Sequence, residues 1–363
     1  MADEFLKIIL LLSVGQGLAL SLLLFFKKKG TRLANTTLAM FILLIVIPLW
    51  NEYIVFLPDL YHYLIIHPKT FYLQLLYGPL LFSYVVFYTK GEPLSPKIIT
   101  LLVAGPLVGA LFKTSHFYLI DGGFSQHIWY YFFMFVNIQL GCCLIAAWLR
   151  IRQHHMDLKQ NLSNLEQAKV DWLMILIAGY AILLAIDIVK MSAKIMGADI
   201  LDSMRLAVSI SECVFIFLIG FWGISKPEIH FKQVLVKAKE KYGKSTLNEL
   251  NSKAIIDQLT SIMQSEELYL DNEVSLASLS KKLNVSPHHL SQALNEQLGQ
   301  SFYDYINSAR IERAKQMLAD AKFHHLAIID IAYQVGFNNK TSFNNAFKKY
   351  TQKTPSQFRV KLT

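Results

Sequence analysis

The chain has 363 residues, 53 % of them hydrophobic and only 17 % charged, with a mean hydropathy of +0.36 and a formal net charge of +9. That composition excludes a disordered chain, and three cysteines exclude a disulfide scaffold. The charge is uneven: residues 1–225 hold 16 basic against 13 acidic side chains, and residues 226–363 hold 19 against 13. An apolar part therefore precedes a basic, soluble one.

In chain order, residues 8–26, 33–51, 70–89 and 122–149 are free of charge. Stretches of roughly 18 or more such residues are long enough to span a bilayer, where only a helix satisfies its own backbone. Residues 98–112, 172–186 and 206–225 are weaker: the first contains Pro106, the second runs on past Asp187, and the third is broken by Glu212. Counting all three predicts seven spans. With the N-terminus outside, the inner loops 27–32, 90–97 and 150–169 hold ten basic residues, and the outer loops hold five. This agrees with the positive-inside rule. Lys27-Lys28-Lys29, directly after the first span, is the strongest anchor and is unlike a cleaved leader. An odd number of spans puts the C-terminal part in the cytoplasm.

Asp187 and Glu212 fall within predicted spans. Carboxylates there are costly and suggest function by default, so both are candidates for an intramembrane signal site. Gln16, Gln74, Asn137 and Gln139 suit interhelical hydrogen bonds. The outer-loop histidines His62, His67, His116 and His127 have no tight ligand spacing, so no metal is expected. The spans lack a Ser/His or His/Asp cluster, so neither a catalytic residue nor a cofactor is expected. Residues 226–260 are a basic linker, able to extend the seventh span as a helix or to lie on anionic lipid.

From residue 261 the pattern changes. Leu276, Leu279 and Leu283 recur at helical spacing before Asn284-Val285. Ser286-Pro287 is a helix start, followed by Leu290, Leu294 and Leu298 as a predicted buried stripe and Gly299 as a stop. This is a helix-turn-helix, whose second helix fits a major groove. A connecting helix over about 302–318 follows, and then the pattern repeats. Residues 328–335 form a short helix, residues 336–339 a turn, and residues 340–351 a second recognition-type helix burying Phe343, Ala346, Phe347 and Tyr350.

Residues from about 270 to 360 resemble the AraC/XylS family of bacterial transcription regulators. The likeness rests on Ser286-Pro287-His288-His289-Leu290-Ser291, Gly299-Gln300-Ser301-Phe302, Arg310 with Ala314, Ile331-Ala332, Val335-Gly336-Phe337, Phe343, Phe347-Lys348-Lys349 and Thr354-Pro355-Ser356-Gln357-Phe358-Arg359. It implies two helix-turn-helix units on a rigid connecting helix, reading successive major-groove segments of double-stranded promoter DNA. Base contacts are expected from His288, His289, Ser291 and Gln292, then from Lys340, Thr341, Ser342 and Asn344, with Asn295 and Asn345 on the same faces. Lys348, Lys349 and Arg359 are expected at phosphates. Arg310 suits either DNA or a structural bond. Three positions depart from the family pattern: Gln352 replaces a usual Gly, and Asn345 and Gln292 replace frequent Arg residues. The last two move the readout toward amide chemistry and adenine.

The whole chain is also similar to a subgroup in which such a tail follows seven membrane helices. Tyr77-Gly78-Pro79-Leu80-Leu81-Phe82-Ser83-Tyr84 and Glu267-Leu268-Tyr269-Leu270-Asp271 carry that likeness. The expected fold is all-α: a seven-helix transmembrane bundle over 1–225, the linker, and a soluble double helix-turn-helix domain over 261–363. The expected function is a one-component regulator in the bacterial inner membrane. It would sense an unknown small-molecule or envelope signal, with RNA polymerase as a further partner. The alternative is a transporter or membrane enzyme with a regulatory DNA-binding tail.

Overall fold

The computed structural model describes residues 2–28, 31–59, 61, 73–90, 95–96, 98–100, 103–104, 126–164, 171–196, 201–225 and 249–360. Among them all regular structure is helical, apart from one isolated β-bridge. The chain divides into two compact units, one of Met1–Arg152 with Val170–Ile229, the other of Gln153–Lys169 with His230–Thr363.

The first unit contains α1 (Ala2–Phe26), α2 (Arg32–Ile54), α3 (Tyr77–Lys90), most of α4 (Gln126–Asn161), α5 (Asp171–Ile195) and α6 (Leu201–Ser225). Four stretches, Glu4–Phe26, Arg32–Ile54, Phe132–Asn161 and Trp172–Lys190, are helical, long and apolar enough to cross a membrane. The apolar helices Leu73–Thr89 and Ala207–Trp222 are shorter. Most of the expected span at 98–112 lies outside the described residues, as do residues 226–248 of the linker. The count of seven is therefore matched here by four long helices and two shorter ones.

α1 packs on α2 and α6, α2 on α3, and α5 on α6. Their shared core includes Phe41, Ile42, Leu81, Leu173 and Ile216. The outward faces are also apolar: Leu12, Ile138, Ile145 and Ile182 are each more than 60 % exposed. Rows of bare aliphatic side chains are costly in water and neutral in lipid.

The segment that opens α3 has a physical reason for its residues. Pro48 sits inside α2 and has no N–H to give the carbonyl of Leu44, one turn earlier. Tyr77 supplies the missing donor, its hydroxyl giving a hydrogen bond to that oxygen at 3.0 Å. Gly78 lets α4 approach: a Cβ there would stand 2.9 Å from the Cβ of Cys143 and 3.3 Å from the Cα of Leu140. Of the four amides expected to bridge helices, Gln139 does so, donating to Leu75 at 3.1 Å, whereas Asn137 bonds Phe133 within its own helix.

The second unit contains α7 (Glu249–Glu266), α8 (Leu276–Lys282), α9 (Pro287–Leu298), α10 (Phe302–Ala319), α11 (Ile328–Gln334), α12 (Lys340–Thr351) and α13 (Pro355–Val360). It has two apolar cores. Ile255, Leu259, Leu279, Leu290, Leu294 and Phe302 belong to one; Ile311, Leu318, Ile331, Val335, Phe343 and Phe347 belong to the other. α10 contributes to both and so joins the halves. Because Ile255, Ile256 and Leu259 of α7 are buried in the first core, the packing of this unit begins before residue 261.

Candidate nucleic-acid interface and bundle cavity

Each recognition-type helix is set by its cap. Ser286 precedes α9 with extended backbone and its Oγ accepts from the His289 N–H at 3.0 Å, while Pro287 takes the first turn. Asn339 does the same for α12, accepting from the Ser342 N–H at 2.8 Å. Leu290, Ala293 and Leu294 anchor α9; Phe343, Ala346 and Phe347 anchor α12.

The opposite faces carry the expected contact residues. On α9, His288 and Asn295 are exposed and His289, Ser291 and Gln292 half-buried. On α12, Lys340, Thr341, Asn345, Lys348 and Lys349 are exposed, and Ser342 and Asn344 half-buried. Several already have partners. Gln292 donates to Glu296 at 2.7 Å, and Asn295 donates to the Ser291 carbonyl at 2.8 Å. Lys349 pairs with Asp304 on α10 at 2.5 Å. Arg359 turns inward: its Nη1 donates to Leu326 at 3.0 Å, and its Nε and Nη2 are enclosed without an acceptor among the described residues. That geometry braces α13. Leu298, expected in the buried stripe, is 39 % exposed. Eight residues at ~100° each put it about 80° from Leu290, off the stripe.

Asp304 ties the connecting helix to α12. It accepts from Lys349, from Ser301 at 2.9 Å and from the Tyr350 hydroxyl at 3.2 Å. Burial alone would raise its pKa, but these donors, above all Lys349, hold the carboxyl below the usual range.

Gln352 closes α12 in the left-handed region, at φ +59°. A side chain there costs roughly 1–2 kcal/mol, offset here by a Gln352 bond to the Lys349 carbonyl at 3.2 Å. Gln352→Gly is therefore expected to stabilise this helix end by about 0.5–1 kcal/mol, read as slower hydrogen exchange of the last α12 amides. Unchanged or faster exchange would contradict this.

Arg310 resolves to the structural role. It is 1 % exposed, donates to the carbonyls of Tyr269 at 2.6 Å and Asp271 at 2.7 Å, and lies 5.6 Å from the Phe337 ring centre. Burial pulls its pKa down to about 10, so it stays charged at neutral pH.

In the first unit, Asp187 and Glu212 line one cavity of about 460 Å³ together with Glu52, Lys190, Gln74, Tyr77 and Tyr180. Asp187 pairs with Lys190 at 3.5 Å, and Ser209 donates to Glu52 at 3.4 Å. Glu212 has no hydrogen bond or ion pair among the described residues. Glu52 had no signal in the sequence as a site residue, because it comes from α2, far from Asp187 and Glu212 in the chain; Tyr180 and Lys190 lie on α5 with Asp187. No group of three metal-ligating side chains occurs among the described residues; His62, His67 and His116 lie outside them.

Comparison with known proteins gives the second unit its class. A family model described as a helix-turn-helix domain matches residues 279–361. An uncharacterized HTH-type transcriptional regulator of Staphylococcus aureus is 37 % identical over 103 residues, which are 28 % of this chain and 13 % of that protein. The Msm operon regulatory protein of Streptococcus mutans is 31 % identical over 132 residues, 36 % of this chain and 45 % of the other. The solved C-terminal domain of AraT, a response regulator from Geobacillus stearothermophilus, is 30 % identical, with 32 % of this chain and 88 % of that one covered and a TM-score of 0.27. The chain thus spans less than half the length of these curated relatives. The C-terminal part is an AraC-type helix-turn-helix domain, a DNA-binding class.

Proposed function

We propose that the chain is a membrane-embedded one-component transcription regulator. One observation carries the reading: a double helix-turn-helix domain shares a polypeptide with apolar helices whose outward faces are bare aliphatic side chains. In this reading residues 98–112 complete seven spans, the N-terminus faces outward, and the DNA-binding unit lies in the cytoplasm beside the chromosome, with RNA polymerase as the downstream partner. Bases are read by His288, His289, Ser291, Gln292 and Asn295, and by Lys340, Thr341, Ser342, Asn344 and Asn345. Lys348 and Lys349 meet phosphate, and Arg359 supports α13 from within.

The signal site is the cavity of Asp187 and Glu212. Three carboxylates against one lysine favour a small cation, and Tyr77 and Tyr180 line the same cavity. Glu212→Gln keeps the shape and removes the charge. It is expected to shift the half-maximal signal dose tenfold or more, since a hydrogen bond to a charged group is worth about 1.5–3 kcal/mol. A dose response that coincides with the wild type would remove Glu212 from the site.

The direct test is genome-wide footprinting of the tagged full-length chain, with fractionation of the same cells. The reading requires discrete promoter footprints from a protein that sediments with the inner membrane. Absence of footprints, or a C-terminus cut by protease from outside intact cells, would overturn it. Robust substrate accumulation in proteoliposomes would favour the transporter alternative.

A further inference from the structure

The segment between α4 and α5 carries contacts that the function above leaves unused. α4 has 36 residues, about 54 Å at ~1.5 Å each, against ~30 Å of bilayer hydrocarbon. Its apolar part ends near Leu149, and Arg150, Arg152, Gln153, His154 and His155 follow. Gln153–Lys169 belong by their packing to the DNA-binding unit.

Within that unit, Leu162 forms an antiparallel bridge with Ser275, the cap of α8. Ser163 is 2 % exposed. Its Oγ donates to the Val274 carbonyl at 2.7 Å and accepts from Arg310 Nη2 at 3.4 Å. Its carbonyl accepts from Asn307 at 3.2 Å and from Arg310 Nη1 at 3.4 Å.

The same guanidinium holds Tyr269 and Asp271. Gly336, in the turn of the second helix-turn-helix, also closes on it: at φ +91°, a Cβ there would stand 2.9 Å from Arg310 Nε. One buried cation therefore joins the lead-in to the first helix-turn-helix, the connecting helix, the turn of the second, and the end of a membrane-length helix.

We infer that residues 161–164 form a latch through which α4 sets the angle between the two helix-turn-helix units. The inference rests on the regulator reading. A one-residue axial step of a helix is ~1.5 Å, enough to break bonds of 2.7–3.4 Å. The signal then reaches DNA through a route besides the residues that follow α6. Two arrangements of the latch, differently favoured by the occupied and empty bundle, are what such transmission requires.

The test uses the full chain in membrane vesicles, with Cys142, Cys143 and Cys213 replaced by Ser. Leu162→Cys combined with Ser275→Cys should give an intramolecular disulfide on mild oxidation, because directly opposed antiparallel residues lie within disulfide reach. Neither single variant should do so. Ser163→Trp should abolish that cross-link and change output from the footprinted promoter at least fivefold. Two alanines inserted between Arg152 and Gln153 turn the latch by about 200° and leave its residues intact. This second variant should change output to the same extent, and it decides the matter should the tryptophan variant be degraded. A missing cross-link, or output within twofold of wild type for a variant inserted at normal abundance, would overturn the latch. A wild-type chain that drives no promoter would instead overturn the regulator reading and leave the cross-link result standing.

Discussion

Arg310→Ala is expected to destabilise the DNA-binding unit by about 3–5 kcal/mol. The side chain is buried and charged, and four stretches of chain converge on it. Its loss leaves the carbonyls of Tyr269 and Asp271 without donors, each at a cost of about 1–3 kcal/mol, and opens a void beside Phe337. Against a typical stability of about 5–15 kcal/mol, that is a large fraction. The full-length protein should melt at lower temperature and fall in steady-state abundance. Arg310→Lys should rescue little, since one ammonium cannot reproduce a planar fork that serves two carbonyls. A wild-type melting profile for Arg310→Ala would show that the cluster is not the keystone of the unit.

Asn344→Ala is expected to lower affinity for the cognate promoter by about 5- to 150-fold, the equivalent of ~1–3 kcal/mol for an amide-to-base contact. Asn344 lies in the N-terminal half of α12 and makes no hydrogen bond among the described residues. Gln292→Ala should cost less, because Gln292 must first leave Glu296, which it holds at 2.7 Å. Lys348→Ala should weaken binding to all sequences alike and flatten the log–log salt dependence by about 0.9, the contribution of one phosphate. Measuring all three across cognate and scrambled DNA separates base reading from phosphate contact. Equal loss on both DNAs for Asn344→Ala would remove it from the reading set.

The helices of the second unit were legible because their signals are local. Ser286-Pro287 and Gly299 bound α9 where expected, and the apolar spacing of α12 identifies its buried face. Gln352 stood out as a departure, and its left-handed backbone shows why glycine suits that position. The apolar stretches likewise gave the helices of the first unit, though not their number of crossings. What stayed hidden depends on distant partners. Nothing near Ser163 announces burial, because its contacts come from residues 111 to 147 positions away. The role of Arg310 is set by the carbonyls of Tyr269 and Asp271, about forty positions away in the chain. Asp187 and Glu212 each stand out singly by their cost in lipid, but their common cavity needs Glu52 and Tyr77 from other helices.

The two recognition-type helices are not copies of each other. α9 opens with Pro287-His288-His289 and α12 with Lys340-Thr341, and α10 fixes their order in one chain. Such a reader is suited to text with a beginning and an end, unlike the mirrored half-sites that a pair of identical subunits prefers. In the proposed reading, inverting the operator within a promoter should leave affinity unchanged but turn the bound protein end for end and so abolish its output, giving the complex a built-in sense of upstream and downstream.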